Sequence, residues 1–426
     1  MHDVDERALV ATAPRARTGR WERVKRAEAF RSLRVSPGFR VFWYGAIVSN
    51  VGTWMQSVAQ GYLVYQLTGS TFMLGAVGFA QSMPFLVFSL WGGVLADRLE
   101  RRRLMTWTQA GAMLLAFLLA GLTFAGVVTV WHILAIALLN GIVNAFNVPV
   151  RQTIISDLVR KEDLANAIAV NSMQFQLSRV VGPALAGVVL ALTGPAWCFL
   201  LNAVSFLAVI WTLLVIDVPP LPARPPTSPL RSIVEALRYV RGEPAILALL
   251  LIGAIPSFVA LPYQQMLPAF AESVLAAGPS GLGWLQSATG FGALLGALGV
   301  ASYSSHRSGA VMLAAVVTLG LGLIGFAASR ALPLSVVALV VAGGSSMVYA
   351  TLNQGFLQRR VDDAMRGRVL SLMMMATFGL QPLGAVQTGT VASVLGAPAA
   401  VAIDGGVCVL VALLLLARAT TVRGLR

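Results

Sequence analysis

The feature that most limits how this chain can fold is the spacing of its charges. Segments free of Asp, Glu, Lys and Arg run 41–96, 104–150, 180–216, 244–271, 273–306, 308–329, 331–358, 369–403 and 405–417. A helix that crosses the hydrocarbon core of a bilayer needs about 20 mainly apolar residues, so 41–96 and 104–150 are each long enough for two. The stretch 164–216, broken only by Arg179, holds two more, as do 244–306 around Glu272, 308–358 around Arg330 and 369–417 around Asp404. The pattern predicts an all-α membrane protein with twelve transmembrane helices in two six-helix bundles. With 57% apolar and only 11% charged residues among its 426, the composition lies outside the range of water-soluble globular domains.

A formal charge of +14 would point to nucleic acid in a soluble protein, but that needs a basic face on a folded soluble domain. Here the basic residues gather in 1–40, 97–103, 151–166, 218–243, 358–368 and beyond 417. With the N-terminus in the cytoplasm, every lysine and arginine except Arg179 and Arg330 falls on the cytoplasmic side. The positive-inside rule therefore places both termini there and accounts for the charge without a nucleic-acid partner. The first forty residues are polar and basic, so no cleavable signal is expected. Cys198 and Cys408 both fall inside spans, which argues against a disulfide framework or a metal site, and no cofactor is expected.

The composition changes at DVPPLPARPPTSP, residues 217–229, whose prolines cannot continue a helix. The expected organisation is a basic N-terminal segment 1–40, a first bundle 41–217, a linker 218–243, a second bundle 244–417 and a tail 418–426. Within the linker, Leu230, Ile233, Val234, Leu237 and Val240 recur at helical spacing opposite arginines, the pattern of a short interfacial helix. RKEDLANAIAVNSM and VDDAMRGRVLSLMM occupy corresponding places in the two halves, each an acidic pair before a span. Such parallel repeats imply two bundles that rock around a midplane site.

Several spans carry polar stripes. Ser49, Thr53, Gln56, Ser57 and Gln60 recur at spacings of three and four, with Asn50 beside them and Trp54 at the margin; Asn140, Asn144, Asn147 and then Arg151 repeat the device in the fourth span. Ser346, Tyr349 and Asn353 mark the tenth span, and Ser257 and Gln264 the seventh. Such faces avoid lipid. Each stripe alone is compatible with an interhelical hydrogen-bond seam; together they predict a central, neutral cavity lined by amides and aromatics, suited to an amphipathic organic molecule. Arg179 is the one basic residue placed within a span and must be paired, hydrated or turned inward, in a binding, coupling or structural role. Gly182, Pro183 and Gly187 follow it and permit a kink or a close helix approach. Asp404 is a candidate coupling site, because burial of a carboxylate favours its protonated form, although the first half has no acid at similar depth. Glu272 falls near the outer end of its span.

The segment GGVLADRLERRRLM resembles the loop between the second and third helices of the major facilitator superfamily, with Gly93, Leu95, Asp97, Arg98, Arg101 and Arg102 matching and Glu100 in place of a usual glycine. VGPALAG, residues 181–187, resembles the Gly-Pro motif of the fifth helix in exporters of that superfamily. With FRVFWYGAIVSNVGTWMQ, VPVRQTIISDLV and EALRYVRGEP, nearly the whole chain is similar to the drug and siderophore exporter branch, which includes enterobactin exporters and macrolide efflux proteins. The resemblance implies outward transport by alternating access, driven by protons. It also implies that Asp97 docks at the start of the eleventh helix, near residues 367–371, where a helix N-terminus favours an anion. Gly93 would clear the crossing, and Arg101 or Arg102 would pair with Asp157. The matching stretch of the second half, GVASYSSHRSGAV, has neither the acid nor the arginines, so such a latch is one-sided.

The expected function is a bacterial plasma-membrane exporter, acting as a monomer on a small molecule with protons as coupling ion. Uptake of a metabolite on the same fold, or a non-transporting sensor, are the competing readings. His2, His132 and His306 are scattered and no paired acids fall in a span, which argues against an enzyme. Neither Lys25 nor Lys161 ends a glycine-rich phosphate loop, which argues against an ATP-driven pump.

Overall fold

The computed structural model describes residues 30–216, 229–302 and 309–418, with side chains described throughout these except at 89–98, 229–233, 364 and 417–418. After a short turn Arg31–Val35, the first half comprises α1 (Pro37–Thr68), α2 (Thr71–Arg98), α3 (Arg101–Phe124), α4 (Val130–Asp157), α5 (Leu164–Thr193) and α6 (Pro195–Val215). The second comprises α7 (Pro244–Val274), α8 (Gly278–Ser302), α9 (Gly309–Ala328), α10 (Leu332–Arg360), α11 (Asp363–Leu395) and α12 (Ala397–Arg418), preceded by a connecting helix Pro229–Gly242. Eleven of the twelve are long and apolar enough to cross a membrane. The twelfth is α1, whose 32 residues would reach roughly 48 Å at 1.5 Å per residue. Length does not disqualify it; the polar stripe lowers its apolar content, and that stripe is the face it turns inward.

Most connections are short, so successive helices run antiparallel and the basic segments collect at one end, called here the basic end, opposite a far end. Packing repeats between the halves: α2 on α4 and α8 on α10, α3 on α6 and α9 on α12, α3 on α4 and α9 on α10, α1 on α5 and α7 on α11. Two further contacts, α5 on α8 and α2 on α11, join the bundles and are themselves related by the repeat. Lipid supplies no hydrophobic drive between helices, so close contact depends on small residues. At the α8–α10 crossing a side chain on Gly292 would run into the Val340 carbonyl, and one on Gly343 into that of Thr289. The α7 helix is less regular. Pro256, Pro262 and Pro268 interrupt its hydrogen bonding, and it ends in a π-helical turn, Phe270–Val274.

Two expectations shift. The segment 92–104 is hardly a loop: α2 stays helical to Arg98, α3 begins at Arg101, and only Leu99 and Glu100 separate them. Among the described side chains of the connecting helix, Ala236 and Val240 are buried, while Val234 and Leu237 are exposed. The helix rests on the start of α11, and Val234 and Leu237 of its expected apolar face are not covered there. There the Tyr239 hydroxyl donates to Asp362 Oδ2 at 3.0 Å and Arg368 pairs with Glu235 at 3.1 Å.

Gly292→Ala is expected to lower the melting temperature of the detergent-solubilised protein, since overpacking costs about 1–3 kcal/mol. Gly299→Ala, on the same helix but with open space around the added methyl, is expected to leave it unchanged or raise it. A thermal-unfolding comparison of the two variants checks this.

Candidate functional site

The polar stripes of α1 and α4 meet inside the first bundle around a cavity of about 280 Å³. Asn50, Thr53, Gln56 and Gln60 from α1 and Asn140, Asn144 and Asn147 from α4 line it, as the sequence spacing required. They are joined by Trp54, Gln81, Gln109, Arg151, Phe175, Asn202 and Phe206. Several of the amides are held by bonds that cross between helices. Asn202 Nδ2 donates to Gln56 Oε1 at 2.7 Å and Asn147 Nδ2 to Thr108 Oγ1 at 2.9 Å. Such cross-helix bonds fix which edge of each amide faces the cavity.

Tyr349 and Asn353 do not take part. Both are buried within the second bundle, where Asn353 packs at Gly253 of α7, so the tenth-span stripe is a helix seam and the cavity belongs to the first half. Arg151 moves the opposite way. Read from sequence both as the end of the fourth-span stripe and among the cytoplasmic basic residues, it lies inside α4, which continues to Asp157, and it lines the cavity. Gln81, Gln109 and Asn202 were not singled out because each is the one amide in its helix, and a single amide carries no periodicity.

Arg179 is half-buried on α5, its guanidinium carbon 5.7 Å from the Trp54 ring centroid, and Trp54 in turn meets Phe175 edge-on at 5.9 Å. No carboxylate pairs with Arg179 among the described residues; the aromatic face provides its contact. Asp404 is buried on α12 and accepts from Thr388 Oγ1 at 2.7 Å and Gln387 Nε2 at 3.4 Å. It lies in the second bundle, away from the cavity lining.

The far end is closed across the bundles at three seams. In the fifth-helix motif Gly182 packs against Trp54 of α1, whereas Pro183 and Gly187 meet Gly283 of α8, so one motif serves two crossings. Nearby, Ser287 Oγ donates to the Val180 carbonyl at 2.9 Å. Between α2 and α11, Gly75 lies against Ala385 and Gly389, and Thr71 Oγ1 donates to the Gly389 carbonyl at 3.3 Å. Between α1 and α7, the Tyr65 and Ser273 hydroxyls are 2.6 Å apart.

The basic end is different. Arg101 Nη1 lies 2.6 Å from Asp157 Oδ2, with Arg101 only 5% exposed, joining α3 to α4. Arg102 donates to the Ile216 carbonyl at the end of α6, 3.3 Å away. Arg31 pairs with the buried Asp163 at 2.9 Å. Among the described residues, each ion pair at this end joins elements of one bundle. The side chains of Gly93, Asp97 and Arg98 lie outside the described residues. Their expected docking surface shifts in any case: α11 begins at Asp363, so residues 367–371 sit one turn inside the helix, past its free N–H groups, where the terminal charge has faded.

Residues 28–424 match the family model described as transmembrane secretion effector. The chain belongs to this family, within the major facilitator superfamily. It is 26% identical over 365 residues to the staphyloferrin A transporter of Staphylococcus aureus, covering 84% of this chain and 90% of that one. It is 28% identical over 388 residues to the enterobactin exporter of Citrobacter koseri, covering 90% and 92%. Among solved structures, a mutant of the peptide transporter POT superposes with a TM-score of 0.75 at 13% identity, covering 92% of this chain and 96% of that one. The inward-open xylose transporter of E. coli superposes at 0.67 with 13% identity, covering 89% and 94%.

Removing one partner from a buried ion pair strands a charge and costs about 3–5 kcal/mol. Arg101→Gln and Asp157→Asn are each expected to lower the melting temperature. The double variant should lose less than the sum of the singles, which a thermal-unfolding mutant cycle measures.

Proposed function

We propose that this protein exports small amphipathic organic molecules, of drug or siderophore type, across a bacterial plasma membrane by alternating access in exchange for protons. The basic end and both termini face the cytoplasm in this reading. The observation that carries it is the asymmetry between the ends: three seams join the bundles at the far end, while the ion pairs described at the basic end stay within a bundle. That is the arrangement of a carrier closed outward, with a polar cavity below the closure. The relatives named as siderophore transporters support export and the substrate type, and the absence of acids from the cavity lining weighs against uptake of a cationic metabolite.

Three sets of residues carry the cycle. The cavity amides, with Trp54 and Phe175, hold the substrate. Asp97, with Gly93 beneath it, latches the basic end when that end closes, and the Arg101–Asp157 pair keeps the α3–α4 corner rigid for it. Asp404 is the coupling candidate with a structural route to a gate: its partner Thr388 precedes Gly389, which meets Gly75 and Thr71 at the α2–α11 seam. Arg179 is the second candidate, because its carbonyl lies against Gly290 of α8 at the other seam and its side chain reaches Trp54 of the cavity.

In respiring everted vesicles carrying the protein, added enterobactin or staphyloferrin A is expected to dissipate part of the acid-inside gradient, and Asp97→Asn to weaken that response. Oxidation of a Thr71→Cys/Gly389→Cys pair, with the native cysteines replaced, should stop the flux, and reductant should restore it. A gradient indifferent to these compounds and to a broad drug panel would contradict export.

A further inference from the structure

The cavity is not neutral. Arg151 lines it, and the lining contains no Asp or Glu. The guanidinium is met only by neutral carbonyl oxygens, Asn50 Oδ1 at 3.0 Å and Gln174 Oε1 at 3.4 Å, and no carboxylate pairs with it among the described residues. Asn50, 9% exposed, commits its oxygen to Arg151 and so leaves its Nδ2 buried without an acceptor. Gln174 is committed likewise, with its Nε2 turned to Ser178 Oγ at 3.4 Å. Around Arg151 there is thus one positive charge without a counter-ion and one amide donor without an acceptor. A buried charge is tolerated when it is paired, and a buried donor when it is bonded. Both requirements are met at once by an oxyanion.

We propose that Arg151, with Asn50, forms an anion subsite of the cavity, and that the transported molecule carries a carboxylate or comparable anionic oxygen group which binds there. The guanidinium presents a planar set of donors matched to two oxygens of one such group. The aromatic side of the same cavity, Trp54, Phe175 and Phe206, receives the apolar remainder. Arg179, which stands over the outer face of Trp54, adds positive potential without touching the subsite. This inference rests on the export reading only in taking the cavity as the substrate site.

The test is equilibrium binding to the purified full-length protein in lipid nanodiscs, using N-benzoylglutamate and its uncharged dimethyl ester as matched probes. The acid should bind more tightly than the ester, by roughly tenfold or more for a charged hydrogen-bonded group. Arg151→Gln should abolish that preference, and Arg151→Lys should keep part of it. Asn50→Asp places a carboxylate beside the guanidinium, so the preference should vanish with no fall in melting temperature, which separates loss of the site from loss of the fold. Equal affinity for the two probes in the unaltered protein, binding of neither, or an acid preference that survives Arg151→Gln would overturn the proposal. Flux in vesicles is read separately: acid-selective binding without flux contradicts export and leaves the subsite standing, whereas flux without acid selectivity does the reverse.

Discussion

A polar side chain facing hydrocarbon loses its hydrogen bonds with water and gains none from lipid, and the arrangement of this molecule follows from that constraint. The amides and hydroxyls of α1 and α4 must turn inward, and enough of them turn to the same place that they enclose space rather than merely join helices. The cost shows in α1, the one long helix that fails as an apolar span on its own. It is held by its neighbours: Gly45 packs on Thr212 of α6 and Gly182 of α5 on Trp54. Sequence polarity, helix packing and the cavity are therefore one feature seen at three levels.

The same economy of strong interactions separates what is rigid from what can move. Within the first bundle, ion pairs tie element to element, Arg101 to Asp157 and Arg31 to Asp163. Across the bundles, the hydrogen bonds at the three seams named above are neutral: Ser287 to Val180, Thr71 to Gly389, and the Tyr65–Ser273 hydroxyl pair. Each is worth on the order of 1 kcal/mol net, and the rest of the seam is contact between glycines and backbone. A closure of this kind can be biased by a few kcal/mol of differential ligand or proton binding, whereas ion pairs within a bundle resist exchange. Flexibility is placed at the interface and stiffness in the halves.

Much of this was legible in the sequence. Charge-free runs gave the helices, and the four- and three-residue spacings of Ser49 to Gln60 and Asn140 to Asn147 gave the two faces that meet. What failed depended on position along or around a helix. Arg151 lies only six residues before the end of α4, about two turns, so its spacing puts it on the stripe while its charge puts it among the anchors, and only the helix end decides between the two. The Tyr349 and Asn353 stripe looks the same as the one in α4, but the neighbour it meets is α7 of its own bundle, a choice made by tertiary packing. Asn202 and Gln109 had no second amide at helical spacing. The acid of the α2–α3 junction illustrates the converse: its motif is clear in sequence, while the two-residue break it flanks emerged only with the structure.

The central claim is that the two bundles exchange closure between the ends. It is tested most directly by electron-spin distance measurements on doubly labelled protein in nanodiscs. One pair reports the far end, Val127→Cys with Arg330→Cys, and the other the basic end, Lys161→Cys with Arg360→Cys, each without Cys198 and Cys408. With enterobactin present, the far-end distance should lengthen in part of the population as the basic-end distance shortens. If both distributions stay fixed, or both lengthen together, the account of the closed far end as one side of an alternating gate is wrong.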